Sequence, residues 1–205
     1  MLKLTGLNRA LQRTKESSMT ENKPSNTVTL VKIAVCSVII AICAWICVPA
    51  AVPFTMQTFG VFFALAFLGG KNGSVAVAVY ILLGAIGIPV FAGGSGGFGV
   101  IISQNGGYMV GWLVGGLLVW ATDGLTKNKF WLRAVVFALA LVLCYAVGTI
   151  WFTVVYAGSS GSVGLWTALV TCVAPFVIPD LIKIGLAMIL STRINKILTK
   201  GASQR

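Results

Sequence analysis

Apolar residues in this chain run in long unbroken blocks rather than in alternation. Six blocks stand out, at about 28–48, 59–68, 74–90, 107–121, 132–156 and 178–194, separated by short polar or glycine- and proline-rich breaks. A barrel strand alternates apolar and polar positions over about ten residues. These blocks are longer and continuous, so the pattern predicts membrane-spanning helices, which satisfy their own backbone hydrogen bonds in lipid. The block at 59–68 is short for a span. A further apolar stretch, 163–177, also falls short of the ~20 residues a crossing needs. Pro175 and Pro179 close it, which predicts a re-entrant or surface helix leading into the last span. The expected fold is an all-α bundle of six transmembrane helices.

Outside the blocks the chain is polar. Residues 1–27 read as a mobile cytoplasmic tail, residues 28–195 as the membrane domain, and residues 196–205 as a basic cytoplasmic tail. Leu4, Leu7 and Leu11 are spaced for a brief amphipathic helix, and Met19 offers an alternative start. The first apolar block is too long for a signal-peptide core and lacks a clean cleavage site, so it is expected to remain as an anchor.

Composition agrees with the pattern. Hydrophobic residues make up 58% and charged residues 9%, and the mean hydropathy is +0.96, all outside soluble averages. The net charge of +11 does not point to nucleic acid, because the bases cluster at the ends of apolar blocks. With the N-terminus inside and spans alternating, every base except Lys183 falls on the inner side. The outer connections, near 49–58, 91–106 and 157–179, carry none. The positive-inside rule therefore supports six spans with both termini cytoplasmic. A seventh span at 163–177 would place the basic C-terminus outside.

Several chemistries are excluded. The chain has no histidine, which removes imidazole acid–base chemistry, the usual nucleophile pairs and histidine metal ligands. Its cysteines, Cys36, Cys43, Cys47, Cys144 and Cys172, all sit in apolar runs without a CxxC, which opposes a zinc site or disulfide framework. Gly93-Gly-Ser-Gly-Gly97 matches G-x-S-x-G, but a nucleophile elbow needs a strand–turn–helix context and a base. No P-loop is present. The chain is expected to be no enzyme, with no catalytic residue, metal or cofactor.

Two charges break the apolar rule. Asp180 and Lys183 lie at the outer end of the last span. A charge in the bilayer core costs ~2.5–3.5 kcal/mol on the insertion scale. Spacing i, i+3 puts both on one helix face, as a local ion pair or as a site for a polar ligand. The outer connections beside them are uncharged but distinctive. Pro49 to Gly60 carries Thr55, Gln57 and Thr58. The next runs from Gly87 through Gly93-Gly-Ser-Gly-Gly97 to Ser103-Gln-Asn-Gly-Gly-Tyr108. Glycine at this density permits positive φ and close backbone approach, or simply a flexible loop. In span one, Ala34, Ser37, Ala41 and Ala44 form a stripe of small residues, suited to close packing within the chain or to docking another membrane subunit.

Taken in order, these motifs resemble the BioY family, the biotin-specific S component of energy-coupling-factor (ECF) transporters. The matching segments are Val52-Pro-Phe-Thr-Met-Gln57 with Gly60, Leu68-Gly-Gly-Lys71, Tyr80 to Phe91, Gly93–Gly97, Gly106-Gly-Tyr108 and Pro179-Asp180-x-x-Lys183. Together they span roughly residues 28–195. The resemblance implies a multi-pass protein of a bacterial cell membrane that captures biotin from outside. It also implies a membrane T component and two ATP-binding cassette ATPases that deliver the vitamin inward. Ala34, Ser37 and Ala41 are then the expected docking face for the T component.

Biotin's chemistry suits the residues present. Its ureido ring has two N–H donors and a carbonyl acceptor, and Asp180 can accept from ureido N–H. Lys183 can donate to the ureido oxygen or pair with the valerate carboxylate. Thr55, Gln57, Ser95, Asn105 and Tyr108 supply neutral polar groups. Phe54, Phe91, Tyr108 and Trp166 are candidates for apolar walls. The resemblance departs at one point. Some members carry an arginine near the Gly-Gly-Tyr segment, where this chain has Met109 and no outer arginine. Two other readings remain at this point, an S component for riboflavin or thiamine and a membrane assembly protein without transport.

Overall fold

The computed structural model describes residues 26–48, 54–126, 129–160 and 165–202. The expected N-terminal tail up to residue 25, with its short amphipathic stretch, lies outside the described residues. Internal packing divides the chain into 1–31 and 32–205. Of the first unit only the opening residues of one helix are described, and the second holds the remaining elements.

Helix α1 is Asn26–Trp45, followed by a two-residue hairpin of β1 (Cys47–Val48) and β2 (Phe54–Thr55). Its register pairs Cys47 with Thr55 and Val48 with Phe54. Then come α2 (Gln57–Leu68), α3 (Gly70–Ala85), a 3-10 turn at Ala92–Gly94, and the short α4 (Phe98–Ile102). The chain ends with α5 (Gly106–Thr126), α6 (Phe130–Ser160), α7 (Leu165–Cys172) and α8 (Ala174–Ala202). Among the described residues four helices, α1, α5, α6 and α8, are long and apolar enough to cross a membrane, and α2 and α3 are shorter apolar helices. α2 has 12 residues, about 18 Å of helix against ~30 Å of hydrocarbon.

The core forms where α5 packs on α6, α2 on α8, and α3 on both α2 and α5. Phe62, Val61, Val77, Tyr80, Phe91 and Phe137 are among its fully buried side chains. Close approach of α5 to α6 depends on a stripe of glycines at i, i+4 and i+8. A Cβ on Gly107 would sit 2.1 Å from the Trp151 Cβ, one on Gly111 2.8 Å from the Cys144 backbone, and one on Gly115 3.0 Å from the Ala140 carbonyl. Helices in lipid gain contact by such backbone proximity rather than by hydrophobic exclusion. The outward faces stay apolar, with Val35, Val38 and Ile42 on α1 and Ile182, Leu186 and Ile189 on α8 all exposed, as a lipid-facing surface requires.

The stripe on α1 packs largely within this chain. Ser37 and Ala41 are buried inside this chain. The Ser37 hydroxyl lies 3.0 Å from the Ile33 carbonyl and 2.9 Å from the Ala76 carbonyl of α3. Small side chains here let α1 settle against its own bundle, and of the three expected docking residues only Ala34 is exposed.

Helix limits also shift. The third apolar block, expected at 74–90, is helical over Gly70–Ala85. Its start is fixed from across the bundle, since Asp123 on α5 accepts the Gly70 N–H at 2.7 Å just after Gly69 turns at φ 81°. Asp123, beyond the apolar block that ends near 121, lies within α5, which runs on to Thr126. The carbonyl end of α2 is held likewise. Arg133 of α6 donates to the carbonyls of Leu65 (3.1 Å) and Ala66 (2.8 Å). The expected surface helix at 163–177 is α7, only eight residues long. Pro175 and Pro179 fall inside α8, which starts at Ala174 rather than near 178. Pro175 is tolerated in the first turn, where backbone N–H groups have no partner in the helix.

Candidate functional site

α8 carries the charges. The Lys183 ammonium lies 2.7 Å from Asp180 Oδ1, and both side chains are only 6% exposed. A buried pair holds only if its remaining hydrogen-bonding capacity is met, and here other elements meet most of it. Lys183 also donates to the main-chain carbonyl of Thr55 at 2.7 Å. Its ammonium stands 4.2 Å from the centre of the Phe54 ring, at cation–π distance. The hairpin is thereby tied to α8. On the acid side, Tyr145 of α6 donates to Asp180 Oδ2 at 2.7 Å, and Thr58 of α2 does so at 3.5 Å. The ammonium has three donors and uses two. The carboxylate retains one further lone-pair direction.

A cavity of about 160 Å³ opens beside this pair. All eight residues expected to bind substrate line it: Thr55, Gln57, Phe91, Ser95, Asn105, Tyr108, Asp180 and Lys183. They come from β2, α2, the glycine-rich connection, α5 and α8, so distant stretches of sequence converge on one space. Thr55, Gln57, Phe91, Tyr108, Asp180 and Lys183 are buried, whereas Ser95 and Asn105 are half-buried at the rim. The cavity thus has a deep charged end and a shallower neutral one.

Supports behind the lining fix its side chains. Gln57 donates through Nε2 to the Tyr80 hydroxyl at 2.6 Å, and Tyr80 is wholly buried. Phe91 meets the Tyr80 ring edge-on at 5.6 Å between centres. It lies over Gly84, where a Cβ would sit 2.0 Å from the Phe91 ring. The glycine-rich connection is ordered. The Phe91 N–H donates to the Ser95 carbonyl at 2.9 Å and Gly97 N–H to the Gly84 carbonyl at 2.7 Å. Gly87, Gly93, Gly94 and Gly97 take φ between 66° and 103°, a region that disfavours other residues. Two indoles pin the outer connections, Trp45 donating to Pro89 O and Trp151 to Ser103 O, each at 2.9 Å. Asn105 Oδ1 and the Tyr108 hydroxyl are buried without a hydrogen-bond partner. Thr149 and Cys172 approach that hydroxyl without completing a bond.

Sequence reasoning missed part of the lining. Tyr145, Ser103, Trp112, Cys172 and Phe176 also face the cavity. Tyr145 left a legible trace, because a tyrosine far from both ends of a span needs a buried partner for its hydroxyl. Trp166, expected as a wall, is 77% exposed and outside the lining. Phe54 stands behind Lys183, stacked on Phe176 at 5.8 Å, rather than on the cavity surface.

Known proteins place this architecture. A biotin transporter BioY of Thermotoga maritima is 35% identical over 170 residues, covering 82% of this chain and 96% of that protein. A probable biotin transporter BioY of Pyrococcus horikoshii is 34% identical over 144 residues, covering 70% of this chain and 81% of that protein. Among solved structures, the S component for biotin from an ECF-type ABC transporter superposes with a TM-score of 0.75 at 26% identity. That match covers 85% of this chain and 94% of the solved one. The pattern that defines the BioY family matches residues 15–200, and the chain belongs to the BioY family.

Proposed function

We propose that the chain is a biotin-binding membrane subunit that captures the vitamin from outside the cell for uptake. The observation that carries this reading is one cavity joining a buried Asp180–Lys183 pair to neutral polar and aromatic groups, in a BioY-family chain. The ureido ring lies at the charged end. Asp180 accepts a ureido N–H through its remaining lone-pair direction, and Lys183 donates its third N–H to the ureido oxygen. Gln57, Thr55 and Tyr108 flank the ring, Phe91 covers its apolar side, and the valerate chain runs toward Ser95 and Asn105.

In the same reading α1, α2, α3, α5, α6 and α8 are six membrane-embedded helices, with both termini cytoplasmic. A T component and two ABC-type ATPases complete the transporter, since this sequence has no P-loop of its own. The family relationship favours biotin over riboflavin or thiamine.

Calorimetric titration of biotin into the full chain, purified alone in detergent, tests the proposal. Saturable one-to-one binding at micromolar or lower concentration is expected. Absence of binding below millimolar biotin sinks it.

A further inference from the structure

The two ends of the cavity differ in what they offer a ligand, and this bears on the far end of biotin. Lys183 is the cationic side chain in the lining, and it is committed to Asp180 and the Thr55 carbonyl. The pair contributes no net charge. None of the other bases of the sequence lies in the three outer connections.

The rim residues add acceptors. The Ser95 hydroxyl donates its one proton to the Ala92 carbonyl at 2.9 Å, and the Ser103 hydroxyl donates to the Val100 carbonyl at 2.6 Å. A hydroxyl whose proton is spent can only accept. Asn105 Oδ1, buried and unpartnered, is a third acceptor. Its amide can turn over and present N–H instead, so it serves either kind of terminus. A carboxylate accepts hydrogen bonds and donates none. Facing spent hydroxyls, it gains little beyond what water at the half-buried rim gives it. Tyr108, deeper in the cavity, retains one neutral donor.

Resting on the biotin reading above, we infer that this site does not recognise the ligand's carboxylate charge, and that biotin amides and esters are ligands alongside biotin. The recognised unit is the bicyclic ring with its aliphatic arm. The terminus is free to be acid, primary amide or ester.

The test uses the full wild-type chain in detergent at neutral pH, titrated separately with biotin, biotin primary amide and biotin methyl ester. A hydrogen bond to a charged group changes affinity by about tenfold or more, so tenfold is the dividing line. Dissociation constants of the amide and the ester within tenfold of biotin's are expected. If biotin binds and either derivative binds more than tenfold more weakly, the inference is overturned while the biotin reading stands. If none of the three binds, the biotin reading fails and takes this inference with it.

Discussion

Asp180 receives hydrogen bonds from three helices, through Lys183, Tyr145 and Thr58. Removing one donor exposes the imbalance of a buried charge. In Tyr145→Phe a hydrogen bond to a carboxylate is lost, worth about 1.5–3 kcal/mol, while ring and volume remain. Biotin affinity measured by calorimetry is expected to fall by about tenfold, and an unchanged affinity would remove Tyr145 from the site. Lys183→Ala is harsher, because stripping one partner from a buried pair costs about 3–5 kcal/mol. Loss of measurable biotin binding is expected there, together with a lower unfolding temperature in detergent. The Asp180–Lys183 face was legible because two charges at i, i+3 in an apolar run must pair with each other or meet a polar ligand. Tyr80 was not legible as a support for Gln57, since the two are 23 residues apart and only the fold joins them.

Among elements, the junction of α2 and α3 shows how side chains from elsewhere set helix limits. Polarity at Lys71 and Asn72 resembles a loop, yet this is the first turn of α3 because Asp123 accepts the Gly70 N–H. A single sequence carries no sign of that distant partner, which is why the predicted start fell four residues late. Asp123→Asn exchanges a charge-assisted bond for a neutral one. It is expected to lower the unfolding temperature by a few degrees with little change in biotin affinity, read by a thermal-shift assay beside calorimetry. The glycine stripe of α5 is the other lever. Gly111→Val drives branched methyls into the Cys144 backbone and is expected to abolish monodisperse folding in size-exclusion chromatography. An unaltered elution profile would show that α5 and α6 tolerate separation.

For the whole molecule, hydropathy blocks and charge placement anticipated an all-helical membrane chain, and among the described residues four helices meet the length and composition of a span. The convergence of β2, α2, the glycine-rich connection, α5 and α8 was beyond their reach, because block patterns order segments without fixing which faces meet. Orientation has a direct test. In a background with the five native cysteines replaced by alanine, Gly99→Cys, at an exposed position with open space for a side chain, is expected to react with a membrane-impermeant maleimide on intact cells. Ser203→Cys is expected to react only after permeabilisation. The reverse pattern overturns the proposed topology.

The anchor that Lys183 finds on β2 is the main-chain carbonyl of Thr55, not its side chain. Thr55 Oγ1 does something else, accepting the Gln57 N–H at 3.2 Å as α2 begins. An alanine scan will therefore register only the lost hydroxyl at position 55, at the start of α2 and in the cavity lining, and remain blind to the strand's grip on the ammonium.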